Sequence, residues 1–429
     1  MEGGRMKKLL KQGKRLGLVA MAIFLAGALL LGSVVPAKAT EEVIKIGWRA
    51  IFTGPLATFG VPVSQGAIDA AKFINEHGGV DGIEIDMVWY DTRAEVPRGV
   101  MAHKRFKEVG AVAELCFVCS LMEACAPLQV RDKMPLLYIG TFTSPAILTK
   151  PPWIFPCGST WEGVAVAMAK GLVDMWTEER PLRFGAIIHD LVDAHIQVDA
   201  TEKHAAELGI EFVGREVVPF IPPTLDTSVE WIRLAAKKPD WVYIFGFGMT
   251  FVTLMKDAAR LGIRDKGIQL LAAPFSADER TLKVTGKDTE GIYAVVAAAT
   301  NVEAELPEVR AILEYAKSYR GYEPQDVPCT YIMANALVRV AAEGIRLAIA
   351  KVGLENLTGE AVREGLTSIR NFEPGVIPPV TISDEHPWWW DSLPRICIVR
   401  EGRQVPVTSW LPVTFYPEWF LQRLEEVSG

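Results

Sequence analysis

The sequence predicts an α/β fold of two doubly wound parallel-sheet lobes, and three observations carry that expectation. From residue 43 onward, short β-branched runs alternate with amphipathic segments whose apolar residues fall at helical spacing. The alternation runs through twice before long helices and a β-rich tail break its rhythm, as in a domain that the chain leaves and re-enters. A length of 429 residues also exceeds what a single core ordinarily holds.

Residues 43–50 read as a strand, 61–77 as a helix ended by Gly78 and Gly79, 83–90 as a strand, and 97–109 as a helix opened by Pro97. A strand over 111–118, a helix from Ser120 and a strand over 135–140 complete the first run. The second run has strands over 183–190, 211–219, 241–247, 268–271 and 292–298, with helices over 194–208, 228–237 and 251–261. Helices over 308–319, 331–350 and 359–366 precede a β-rich stretch from 380 to 407.

Residues 1–39 depart from this pattern. A basic stretch to Arg15, an apolar run over 16–31 and the small-x-small triplet Ala37-Lys38-Ala39 read as an export signal cleaved after Ala39. The apolar run is shorter than the roughly 20 residues that span a bilayer. The mature chain is therefore expected in the periplasm or an extracellular space. It keeps 38 basic against 51 acidic residues, a balance that repels nucleic-acid phosphates and anionic lipid.

Six cysteines (Cys116, Cys119, Cys125, Cys157, Cys329 and Cys397) allow 15 pairings in an oxidising compartment. Cys116 and Cys119 have C-x-x-C spacing, but no second pair completes a zinc set, so a local disulfide and free buried thiols both stay open. His189, Asp190, Asp193, His195 and Asp199 gather near a strand end, with His195 and Asp199 one turn apart on a helix. Helical spacing puts His204 on the far side, and no metal is expected. No nucleophile elbow, P-loop, H-E-x-x-H or dinucleotide fingerprint occurs. The sequence thus gives no catalytic group and no cofactor; an exported hydrolase or metal-dependent enzyme on the same two-lobe fold is the alternative.

Ligands of open parallel sheets sit beyond the carboxyl ends of the strands. There the first run presents residues 52–60, including Phe59, then Cys119 and Ser120, then Thr141, Phe142 and Thr143. Ser120 directly precedes a helical segment, where it either caps the helix or joins its N–H groups in holding a carboxylate. Three consecutive indoles, Trp388, Trp389 and Trp390, cannot all face one core.

The order of features resembles the periplasmic solute-binding proteins of the leucine/isoleucine/valine type that feed ABC transporters. The resemblance rests on Ile44-Lys45-Ile46-Gly47 leading to Thr53-Gly54-Pro55-Leu56-Ala57 and Gly60, and on Ile74-Asn75-Glu76 followed by Gly78-Gly79-Val80 and Gly82. Thr143-Ser144-Pro145, Arg260-Leu261-Gly262 and Glu290-Gly291-Ile292-Tyr293 also fit. It covers nearly the whole mature chain. It implies a monomer whose two lobes, joined by three hinge crossovers near Ser159, Ala297 and Asn371, close over a small solute and dock on a membrane permease. The lobes would comprise 40–159 with 298–371, and 160–297 with 372–429.

By the same resemblance Ser120, Thr141 and Thr143 hold a ligand carboxylate and Phe59 packs on its side chain. In the second lobe Phe247 takes the place of one aromatic ligand-contacting residue, whereas Ala194 and His195 stand where a Tyr is usual. Ala272-Ala273-Pro274-Phe275-Ser276 lacks the acid that usually meets an α-ammonium. An ammonium buried without a counter-charge is costly, so a hydrophobic or aromatic carboxylate, or a related neutral compound, is expected to bind more tightly than leucine, isoleucine or valine, with Phe59, Phe142, Phe247 and Phe275 around the cleft and His195 as a donor. Tighter binding of leucine would require an acid elsewhere, at Asp193 or Asp278.

Overall fold

The computed structural model describes residues 42–141, 148–157, 160–220, 226–388 and 394–428. The expected export signal, Phe142 and Thr143, Ser159, and Trp389 and Trp390 lie outside the described residues.

The first run forms β1 (Ile44–Ala50), α1 (Ala57–Glu76), β2 (Ile85–Asp91), α2 (Val96–Glu108), β3 (Ala113–Cys116), α3 (Cys119–Asp132), β4 (Leu136–Tyr138) and β5 (Ile154–Pro156). The second forms α4 (Trp161–Met175), β6 (Leu182–His189), α5 (Val192–His204), β7 (Ile210–Val218), α6 (Ser228–Ala236), β8 (Trp241–Phe245), α7 (Met249–Arg260), β9 (Gln269–Ala272), α8 (Glu279–Thr285) and β10 (Tyr293–Val296). Then come α9 (Pro307–Arg320), α10 (Cys329–Val352), α11 (Gly359–Leu366), β11 (Arg395–Arg400), β12 (Arg403–Pro406) and α12 (Glu418–Ser428). The two expected runs are present. β5, α4, α8 and α12 are additions, and among the described residues of the expected tail the strands are β11 and β12.

The first sheet has the order β2-β1-β3-β4-β5, all parallel. In the second sheet β7-β6-β8-β9-β10 repeat that order in parallel, and β11 and β12 join beside β10 as an antiparallel hairpin. Each parallel array reverses its strand order once, at β1/β3 and at β6/β8, and such a switch point leaves a crevice beyond the strand ends.

Apolar faces explain the layers. α1 and α10 cover one face of the first sheet with Val63, Ala67, Leu337 and Val340. They approach closely because a Cβ on Gly66 would lie only 2.4 Å from the Tyr331 carbonyl oxygen. The other face takes Phe106 of α2 and Leu121 and Met122 of α3. The second sheet is covered by α6 and α7 on one side and by α4 and α5 on the other.

Two of the connections between the sheets run side by side, where Ala299 N–H donates to Val376 O at 2.8 Å. Arg395 of β11 ties into them by pairing with Glu303 and donating to Ala298 O at 3.1 Å. The chain after 372 therefore divides between the lobes instead of joining the second as a whole. Val376, Ile377, Val380 and Ile382 pack into the first core. Past the hairpin, the buried Phe420 of α12 packs with Trp388, Leu121 and Met122 on the first lobe, while Trp419 Nε1 reaches Glu162 of α4 at 3.1 Å. Sequence pattern missed this because α12 is too short and too polar to announce its partner. Trp388 is accounted for as core.

Candidate functional site

A cavity of about 660 Å³ lies between the strand-end loops of the two sheets. The first lobe contributes Phe59 from the first turn of α1, Phe117 and Val118 after β3, Cys119 and Ser120 from the start of α3, and Ile139 and Gly140 after β4. The second contributes Trp161 of α4, Leu191 to Asp193 at the start of α5, Phe220, Phe247 and Phe275. Phe59 meets Phe117 at a ring-centroid distance of 5.6 Å, and Phe117 meets Phe275 at 5.4 Å. Edge-to-face rings at these separations form one apolar wall that crosses from lobe to lobe.

The loop after β1 is held from beneath. Asp91 accepts from Phe52 N–H at 3.0 Å and Thr53 Oγ1 at 2.7 Å. Burial pushes its carboxyl up, but these donors outweigh that and keep it below the ordinary carboxylate range. Arg93, paired with Glu95 at 3.2 Å, stands on the rim of the same wall.

At α3 the geometry bears on one of the two roles left open for Ser120. The N-cap residue is Val118, whose side chain makes no capping bond, and Ser120 is the second residue of the helix. Ser120 is therefore not a cap. It is exposed on the cleft together with the first-turn N–H groups, which have no partner within an α-helix. Cys119 Sγ donates to Glu123 Oε1 at 3.3 Å. The N-cap residue of α5, Leu191, likewise offers no capping side chain, but the first turn of α5 carries Asp193, so of these two helix starts on the cavity that of α3 is the one without an acid in its first turn.

Thr141 is buried with its hydroxyl unpaired, but it does not line the cavity; Ile139 and Gly140 do. His195 is likewise not brought to the cavity wall, since its Nε2 bonds Asp190 Oδ1 at 2.9 Å. Asp199 pairs with Arg215 and His204 with Glu207. Among the described residues no group of three or more His, Cys, Asp and Glu gathers as a metal site. None of the six cysteines is joined to another in a disulfide, and burial pushes Cys116 up to about 11 and Cys157 up to about 12.

The residues that sequence reasoning passed over are Phe117, Glu123, Tyr138, Trp161 and Phe220 on the wall; Asp193, one of the two acids it offered as alternatives, lies there too. Asp193 accepts from Ala194 N–H at 3.1 Å and has no cationic partner among the described residues. Burial pushes its carboxyl up to about 6. Asp278, the other acid considered, is buried as the N-cap of α8, where it accepts from Thr281 N–H at 2.9 Å. Behind the wall, His189 is fully buried against Phe220 and Phe247, and burial pulls it down to about 3, so it is neutral. Phe117 has a simple explanation: β3 ends at Cys116, two residues before the sequence places its end, which frees Phe117 for the loop.

A family model described as a periplasmic binding protein matches residues 43–387. The "leucine-, isoleucine-, valine-, threonine-, and alanine-binding protein" of Pseudomonas aeruginosa is 26% identical over 309 residues, 72% of this chain and 79% of that protein. Among solved structures, a branched chain amino acid ABC transporter from Thermus thermophilus with bound valine superposes with a TM-score of 0.74 at 20% identity, covering 89% of this chain and 98% of that one. A solute binding protein of an ABC transporter from Rhodopseudomonas palustris BisB5, in complex with 3,4-dihydroxybenzoic acid, gives 0.69 at 16% identity over 86% and 98%. These two superpositions show a shared two-lobe fold.

Proposed function

The chain belongs to the periplasmic binding protein family, and on that premise we propose that it captures a hydrophobic amino acid for a membrane permease of an ABC uptake system. Proteins of this family are extracytoplasmic, non-enzymatic transport components that bind small molecules. The finer reading concerns the ligand. The aromatic wall of Phe59, Phe117, Phe247 and Phe275 suits an apolar side chain. The uncapped start of α3, with Ser120, suits a carboxylate.

The observation that carries the amino-acid reading is Asp193, a half-buried carboxyl on the cavity wall without a cation. An α-ammonium gives it one, which relieves the burial of an uncompensated charge. In this reading Asp193 supplies the acid that the sequence around residues 272–276 lacks, and leucine is expected to bind more tightly than its deaminated analogue. A second reading, an aromatic carboxylate without ammonium, is favoured by the number of phenyl rings on the wall. A thermal-shift screen of hydrophobic amino acids and their deaminated analogues tests both, because a ligand raises the melting temperature by mass action. Stabilisation by leucine or phenylalanine beyond that by 4-methylpentanoate or 3-phenylpropanoate is the expected result; the reverse order selects the second reading.

A further inference from the structure

A charged chain runs through the core of the first lobe to the back of α3. Arg49 of β1, fully buried, pairs with Glu114 of β3 at 2.5 Å and donates from Nη1 to Leu121 O, in the first turn of α3, at 3.1 Å. Glu114 also accepts from Gln129 at 3.1 Å and meets His103 Nδ1 of α2 at 2.6 Å. His103 Nε2 meets Asp132 Oδ2 at 2.9 Å, and Asp132 ends the chain at the surface with Lys107 and Arg131. Arg49, His103, Glu114 and Gln129 are all buried.

Fold stability does not call for this arrangement. Apolar residues of similar volume in place of a buried ion pair are often neutral or stabilising, and Trp48 and Ala50, on either side of Arg49, are buried apolar residues. What the chain reaches is specific: the one helical turn that carries Cys119, Ser120 and Leu121, whose N-cap residue, Val118, makes no capping bond. A guanidinium fork that holds Glu114 with one arm and Leu121 O with the other fixes that turn against the sheet.

We propose that Arg49 is a positioning residue for the ligand site, holding the first turn of α3 so that its N–H groups and Ser120 point into the cleft. The proposal rests on the reading that this turn grips the ligand carboxylate. Arg49→Lys keeps the charge but loses the fork, and the double variant Arg49→Met with Glu114→Met removes both charges without orphaning either. Each is expected to weaken leucine or benzoate, whichever binds the unaltered protein, about tenfold in Kd. Each is also expected to speed hydrogen exchange at Met122 N–H, which bonds Val118 O in this turn, more than at β1 and β3. A folded variant with unaltered Kd and unaltered Met122 exchange overturns the proposal. So does failure of both variants to fold, which would make the pair a requirement of the core. If neither probe binds the unaltered protein, the carboxylate reading fails, whereas Met122 exchange still decides whether Arg49 holds the turn.

Discussion

Phe59 on α1 and Phe247 beyond β8 meet with ring centroids 5.5 Å apart, one from each lobe and both on the cavity wall. Phe247 in turn lies 4.9 Å from the neutral His189, so this ring on the cavity wall is backed by a second-lobe core that does not charge near neutral pH. A ligand that extends this aromatic contact has extra affinity for the closed arrangement, and closure follows from that difference. The radius of gyration from X-ray scattering is expected to fall on saturation with ligand. Phe247→Ala should weaken an apolar ligand by about 2 kcal/mol, the worth of one buried aromatic side chain, in calorimetry.

Ser120→Ala separates ligand contact from helix capping. Because Val118 holds the N-cap position and Ser120 is exposed in the first turn, the substitution should leave the melting temperature of the unliganded protein nearly unchanged. Affinity for a carboxylate ligand should drop by about 1–3 kcal/mol, the range for a hydrogen bond to a charged group. An unaltered affinity paired with a lower melting temperature would show that the hydroxyl serves the helix.

What was legible in the sequence followed from local pattern. Alternating strands and helices announced both sheets, the rule that ligands sit beyond strand ends picked out Phe59, Cys119 and Ser120, and the family resemblance added Phe247 and Phe275; all five line the cavity. Thr141 and His195 do not line it because a position near a strand end does not fix where a side chain turns; one is buried and the other bonds Asp190. Asp193 looked like one acid among several, and only burial distinguishes it. The chain from Arg49 to Asp132 joins residues on β1, α2, β3 and α3, and no local period links them. The available signal was weaker: Arg49 and Glu114 are charges inside otherwise apolar runs of neighbouring strands.

Stability should depend on pH through two histidines with opposite signs. Burial acts against charge on His103, but Glu114 and Asp132 outweigh it and raise its affinity for protons above the ordinary value. Its contribution is therefore complete below the unfolded value of about 6.5 and is lost as pH rises through the folded one. His189, pulled down to about 3, works the other way: below about 6.5 the unfolded chain takes up a proton that the folded one refuses, and stability falls. Urea unfolding between pH 5 and 9 should show stability declining above about pH 6.5, to which His103 and the buried Glu279, pushed up to about 8, both contribute. His103→Leu, which leaves Glu114 and Asp132 short of a partner, should cost about 3–5 kcal/mol and make the alkaline decline shallower; an unchanged decline in the variant would assign it to Glu279 or another group.

The last helix is expected to matter for the first lobe although it follows strands of the second. Phe420 is fully buried among Trp388, Leu121 and Met122, and Arg423 Nε donates to Leu148 O at 3.2 Å. Phe420→Ala should destabilise by about 3–5 kcal/mol, measured as a shift of the urea midpoint at constant slope. Since Leu121 and Met122 belong to α3, ligand affinity should weaken with it; a stability loss with unchanged affinity would mean that α3 keeps its place without α12.

Asp193 gives the sharpest test of ligand class, because the two readings predict opposite pH dependences. Its carboxyl, pushed up to about 6 by burial, is ionised above that pH and neutral below it. If the ligand carries an α-ammonium, ionised Asp193 attracts it, and affinity falls as pH drops through about 6. If the ligand carries only a carboxylate, ionised Asp193 repels it, and affinity rises over the same interval. Leucine and 4-methylpentanoate share a side chain and a carboxylate, so calorimetry with both between pH 5 and 8 isolates the ammonium. Leucine is expected to bind more tightly at pH 8, with the gap closing toward pH 5. Asp193→Asn should flatten both profiles and weaken leucine at pH 8 by about 1–3 kcal/mol, as for loss of a charged hydrogen-bond partner. Tighter binding of 4-methylpentanoate at pH 8, unaltered by Asp193→Asn, would remove Asp193 from the ligand site and leave the aromatic wall and the start of α3 as the whole of the recognition.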